Sequence, residues 1–195
     1  MRLAVLTGFY VGVVCSAQVA ANKIVVVPWT HLKAPGGTYL IGVALALIEL
    51  AHHSAPTRRE GALNAQVMIV MGFIASALLA GYLQVIVHSK AAFDGQQFDR
   101  ALGSTWRIVL ASLAAFIVSE STDNALGFWA RDRVPDAVRV IGTNVLSAPL
   151  DSFVFLLAAF GSLTSFWGQY AGKMAATILV GLPLVYIARP AVERE

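Results

Sequence analysis

Four carboxylates stand inside or at the edge of long apolar runs: Glu49, Glu120, Asp123 and Asp151. A carboxylate near the centre of a bilayer costs about 2.5–3.5 kcal/mol on insertion scales, so it faces a cavity or a partner rather than lipid. Their neighbours repeat at helical spacing. Ser112, Ser119 and Asp123 are seven and four residues apart, which at ~100° per residue places them within about 40° on one face. Asn144, Ser147 and Asp151 make a second stripe, and Cys15, Gln18 and Asn22 a third. Glu49 shares a face with Gly42 and with His52 or His53. Such stripes of hydroxyl, amide and carboxylate on several helices predict a shared polar cavity that hydrogen-bonds a ligand. An ionised carboxylate offers two acceptor oxygens and no donor, so it can take both bonds from a ligand edge carrying two adjacent donors. The same residues also admit structural roles. Serines let membrane helices pack closely, and Asp123 or Asp151 could pair with Arg107 or Lys173. Glu120 lies roughly 80–100° off the Asp123 stripe and is expected at the interface, or paired with Arg107 or a loop cation.

No catalytic set assembles from these residues. Glu49-Leu50-Ala51-His52 has the Glu-x-x-His spacing of carboxylate di-iron bundles, but the second such pair that chemistry requires is missing from the sequence. There is no His-Glu-x-x-His, no phosphate-binding Walker loop and no Gly-x-Ser-x-Gly elbow. Cys15 is the sole cysteine, which excludes an intrachain disulfide and a cysteine-based metal cluster. No cofactor and no enzymatic activity are expected.

The elements that must position these side chains follow from composition. Of 195 residues, 57% are hydrophobic and 13% charged, with mean hydropathy +0.70, far from the ~25% charged content of a soluble domain. The expectation is an all-α polytopic membrane protein of a single domain. It has six spans, over about 3–21, 38–53, 65–87, 106–126, 141–163 and 169–188. The first segment could be read as a signal peptide, but the apolar run resumes at once at Ile24–Val27, so it is expected to stay as a span. Pro and Gly between Val27 and Gly37 forbid a continuous helix there, a polar loop is expected over Ser89–Ser104, and Pro183 should kink the last span. Trp29, Trp106, Trp129 and Trp167 fall near span ends, as in an interfacial aromatic belt. The 14 Lys and Arg are dispersed rather than gathered in a stripe, which argues against nucleic acid as a partner. Six spans would divide them eight to six in favour of the side that holds both termini, so both termini are expected in the cytoplasm.

The motifs also carry a likeness. Arg107-x4-Ser112…Asp123 resembles the fourth span of the queuosine precursor transporter family, also called the vitamin uptake transporter family. Asp151-Ser-Phe-Val-Phe-Leu-Leu-Ala-Ala-Phe160 is similar to that family's Asp-led fifth span. Asn22 in Ala-Asn-Lys, Gly37-Thr…Glu49, and Gln169-Tyr170…Lys173…Leu182-Pro183 resemble its first, second and last spans. Glu120 departs from the usual Gln, Gln169 stands where an acid can occur, and His53 takes an often basic position; these departures bear on substrate more than on fold. The resemblance implies a plasma (inner) membrane importer of 7-deazaguanine bases such as preQ0 and preQ1, salvaged into queuosine in tRNA. It also implies an architecture similar to the substrate-binding subunits of energy-coupling-factor vitamin transporters. With the stripes, it nominates Asn22, Glu49, Arg107, Ser112, Ser119, Asp123, Asn144, Asp151 and Lys173 as substrate contacts. Asp123 leads for the two-donor edge of the base, with Glu49 or Asp151 next. Partners are then the small-molecule base and the bilayer, with an energising module or a homo-oligomer left open. The rival readings are a vitamin-binding subunit that needs an ATPase, and a membrane-embedded enzyme.

Overall fold

A computed structural model describes residues 2–27, 30–89, 105–130 and 133–193. Trp29 and most of the expected polar loop (90–104) lie outside them. Helix α1 (Arg2–Ala20) ends where the Asn22 side chain folds back, its Nδ2 donating to the carbonyls of Val19 (3.1 Å) and Gln18 (3.4 Å). These are orphan carbonyls of a helix C-terminus, so Asn22 acts as a cap. The chain then forms a feature absent from the all-α expectation. Strands β1 (Ile24–Val26) and β2 (Lys33–Pro35) pair antiparallel, with Val25 opposite Ala34. The β-branched run Ile24-Val25-Val26 suits an extended backbone, and a short hairpin satisfies the backbone of a segment that Pro and Gly keep from being helical.

A 3₁₀ turn (Gly36–Leu40) leads into α2 (Ile41–His53). Every residue from Ala44 to His52 is buried, so α2 is the central helix of the bundle, apolar all round apart from its last turns. Helix α3 (Arg58–Val87) starts at Thr57, whose hydroxyl accepts the Glu60 N–H at 3.3 Å. Helix α4 (Thr105–Ala130) and α5 (Asp136–Phe160) form the most extensive helix pair. α5 stops short of the expected Leu163 because Gly161 takes the left-handed conformation (φ 63°) and its N–H closes onto the Leu157 carbonyl. Helix α6 (Phe166–Ala176), a π-helical turn (Thr177–Gly181) and α7 (Leu182–Glu193) make one continuous rod. The expected Pro183 kink takes the form of that π turn. Proline cannot donate to the carbonyl four residues back, and the preceding Leu182 N–H reaches five residues back to Thr177.

Polarity is distributed inside out. Leu78, Val85, Leu179 and Ile187 are exposed, whereas Glu120, Asn144 and Lys173 are buried, the pattern of a protein whose solvent is lipid. Four helical segments are long and apolar enough to cross a membrane: Leu3–Ala20, Arg59–Val87, Ile141–Phe160 and Phe166–Ala188. The other two rods are α2, only 13 residues long, and α4, which carries Glu120, Asp123 and Asn124 in its second half. Trp106, Trp129 and Trp167 sit exposed at helix ends, and the Arg133 guanidinium lies 4.7 Å above the Trp129 ring centre.

Glycine sets the closest helix approach. A Cβ on Gly42 of α2 would collide with the Ala176 carbonyl, and one on Gly181 would come within 2.6 Å of the Gly42 carbonyl. Backbone atoms cannot swing aside, so Gly42→Ala should cost about 1–3 kcal/mol by overpacking. Gly12→Ala in α1, where an added Cβ meets nothing within 4 Å, should be neutral or slightly stabilising. Thermal melts of both variants in detergent check this; equal melting temperatures would refute the close crossing.

Candidate functional site

A cavity of about 80 Å³ lies where α1, the 3₁₀ turn, α2, α4, α5 and α6 meet. Its polar wall consists of Gln18, Thr38, Ser112, Asp151, Gln169 and Lys173, and its apolar wall includes Phe116 and Phe155. Gln169 and Lys173 reach it from one face of α6 because they are four residues apart. That face comes close because Gly168 packs on the Lys33 carbonyl of β2, and Gly172 leaves only room for the Thr38 methyl, 3.0 Å from where its Cβ would be. Lys173 is 3% exposed, and its Nζ is ion-paired with Asp151 Oδ2 across the α5–α6 interface. Gln18 and Gln169 are each 4% exposed, and the side-chain carbonyl oxygen of each is buried with no hydrogen-bond partner among the described residues. A buried, unpaired acceptor costs about 1–3 kcal/mol. Two of them in one cavity wall are acceptors waiting for donors.

The nine residues nominated from the sequence divide between this cavity and other places. Ser112, Asp151 and Lys173 line it. Asn22 caps α1, and Arg107, exposed, donates from Nε to the Ala158 carbonyl at 3.1 Å. Glu49 is not on the cavity wall. It is held by Arg139, whose Nε donates to Oε2 at 3.3 Å and whose Nη2 engages Oε1, with His53 Nε2 3.1 Å away. Ser119 is buried; Asp123 Oδ1 accepts from Ser147 Oγ at 3.3 Å; Asn144 bonds Thr177 Oγ1 and lies 3.8 Å from the Met174 sulfur. These three lie off the cavity wall too. The expectation that Glu120 reaches the interface is corrected: it is 1% exposed, facing inward beside Tyr10 of α1.

Residues 41–188 match the family profile described as "Putative vitamin uptake transporter". The chain belongs to that family. It is a multi-pass membrane transporter. No curated protein and no solved structure matches the chain. The matched region of this vitamin uptake transporter family member begins at the first residue of α2, so Gln18 and Thr38 extend the cavity beyond it. Gln18, Gln169 and Arg139 were not among the nominated contacts. Gln18 was visible in the stripe with Cys15 and Asn22, and Gln169 in its spacing from Lys173. Arg139 had a weaker signal: a carboxylate in a helix as apolar as α2 demands a cation from somewhere. Chemically, the cavity offers two acceptors, an ammonium, a carboxylate and two hydroxyls against an aromatic wall, which suits a flat, polar-edged heterocycle.

Proposed function

We propose that this transporter imports 7-deazaguanine bases such as preQ0 and preQ1 across the inner membrane, with both termini cytoplasmic, for salvage into queuosine of tRNA. The observation that carries the reading is that Gln18 and Gln169, whose side-chain oxygens have no hydrogen-bond partner among the described residues, both line one cavity. A 7-deazaguanine presents the ring N1–H and the 2-amino group as adjacent donors and a ring carbonyl as acceptor. The glutamine carbonyls accept the donors, and the Lys173 ammonium suits the carbonyl. Asp151 would receive the cationic aminomethyl group of preQ1. The donor edge, which sequence alone would give to Asp123, passes to Gln18 and Gln169 because they, and not Asp123, line the cavity. An engineered cavity of about 150 Å³ holds benzene, so a bicyclic base enters this one, about 80 Å³, only if a wall moves outward. The resemblance of the second, fourth, fifth and last spans to queuosine precursor transporters supports the same cargo, and six crossings would put both termini on one side.

The test is salvage. In a host unable to make preQ0, the chain should restore queuosine in tRNA when the base is supplied outside, and uptake should persist without any ATPase partner. Normal membrane abundance with no queuosine would reject the cargo, and strict dependence on an ATPase would favour a binding subunit. Gln169→Leu and Gln18→Leu sharpen the test because they should move two readouts in opposite directions. Each removes an acceptor, lowering preQ0 affinity about tenfold, and each removes an unpaired buried polar group, leaving the melting temperature equal or higher. A variant that loses stability and keeps affinity would assign the glutamine to packing.

A further inference from the structure

Lys173 answers Asp151, and Arg139 answers Glu49. Two buried carboxylates remain, Glu120 (1% exposed) and Asp123 (8% exposed), within one turn of each other on α4. Among the described side chains the buried cations are Arg139 and Lys173, and each is ion-paired with a different acid. Among the described residues the hydrogen-bond partners of Asp123 are hydroxyls, Ser147 at 3.3 Å and Thr143 beside it, both from α5. Among the described residues neither Glu120 Oε2 nor the hydroxyl of Tyr10 makes a hydrogen bond of ordinary length, and Tyr10, 0% exposed, sits next to Glu120 from α1. The charged groups facing the pair are Lys173 of α6 toward Glu120 and Glu49 of α2 toward Asp123. His52 of α2 packs farther along α4, against Gly127. Two carboxylates so close and so dry cannot both stay charged: each has lost its hydration, and each repels the other.

We infer that Glu120 and Asp123 form a proton-binding site that couples cargo import to proton entry, with Lys173 as the link to the cavity. This rests on the cavity being the cargo site. The step balances simply. A proton from the outer water forms an O–H bond on the pair, the bond breaks when the site communicates with the inside, and no electrons move. A protonated carboxyl gains a donor, which the idle Tyr10 oxygen or the other carboxylate can accept. The coupling is electrostatic. Lys173 is ion-paired with Asp151 in the cavity and lies near enough to Glu120 for its charge to act there. Cargo that draws the ammonium toward the cavity weakens its field at Glu120, so cargo and proton favour each other's binding.

The experiment has two arms. Without cargo, infrared spectra of the reconstituted protein at neutral pH should show a protonated-carboxyl band that Glu120→Gln or Asp123→Asn diminishes in folded protein. A band identical in wild type and both variants would overturn the site, and a band abolished by exchanging potassium for sodium would make it a sodium site instead. In proteoliposomes with preQ0 outside, wild-type import should alkalinise the outer medium. Glu120→Gln should bind preQ0 within about threefold of wild type yet lose at least about tenfold in uphill accumulation. Import of preQ0 without proton movement would overturn the coupling. Wild-type protein that shows the mutation-sensitive band but neither binds nor moves preQ0 would uphold the proton site and reject the 7-deazaguanine cargo.

Discussion

Replacing Arg139 with methionine should destabilise the folded transporter by about 3–5 kcal/mol and sharply lower its membrane abundance. The reason is what remains behind. Glu49 is 6% exposed in the central helix α2, and Arg139, 3% exposed, engages both of its carboxylate oxygens. His53 stands 3.1 Å from Glu49 and 3.0 Å from Arg139 Nη2, so the three form one buried network joining α2 to the first turn of α5. Remove the guanidinium and the carboxylate keeps its desolvation cost without its main cation. Removing both charges is a different matter, because a buried pair replaced by apolar side chains of similar size is often neutral or stabilising. The double variant Arg139→Met with Glu49→Leu should therefore recover most of the lost stability. Melting temperature and yield of the single and double variants decide it. A single variant as stable as wild type would show that the pair does not hold α2 to α5.

Lys173→Met should show the second largest effect, and of a different kind. It strands Asp151 and removes the ammonium from the cavity wall at one stroke. The stability loss should be about 3 kcal/mol, the lower end for a broken buried pair, since the Asp151 side chain is 13% exposed at the cavity. Cargo uptake should fall at least about 100-fold, as expected when a charged hydrogen bond and its geometry are lost together. Adding Asp151→Leu should restore the melting temperature and leave uptake abolished. If the double variant recovers both, Lys173 serves only to neutralise Asp151, and the cavity reads its cargo without it.

Both predictions concern acids that were visible in the sequence and partners that were only partly so. Glu49, Glu120, Asp123 and Asp151 could be singled out because hydrocarbon rejects a carboxylate whatever the fold, so a one-dimensional pattern suffices to place them indoors. The apolar runs determined an all-α membrane protein for the same reason: a chain in lipid must satisfy its backbone within each segment. The families of stripes pointed to a polar interior because helical periodicity is local. Tertiary structure decided which stripe meets which. Asp123 and Ser112 share a face of α4, yet Ser112 opens on the cavity while Asp123 turns to Ser147, since the neighbours change along the length of the helix. Arg139 reads as a loop charge until the packing of α5 on α2 buries it against Glu49. Gln18 and Gln169 come to line one cavity only because glycines at 37 and 168 let the 3₁₀ turn and α6 approach the backbone of α1 and β2, and Gly172 makes room for the Thr38 side chain. Side-chain type and spacing are local properties and can be read from the sequence, whereas rotation, tilt and closeness of approach belong to pairs of helices and exist only once the bundle is packed.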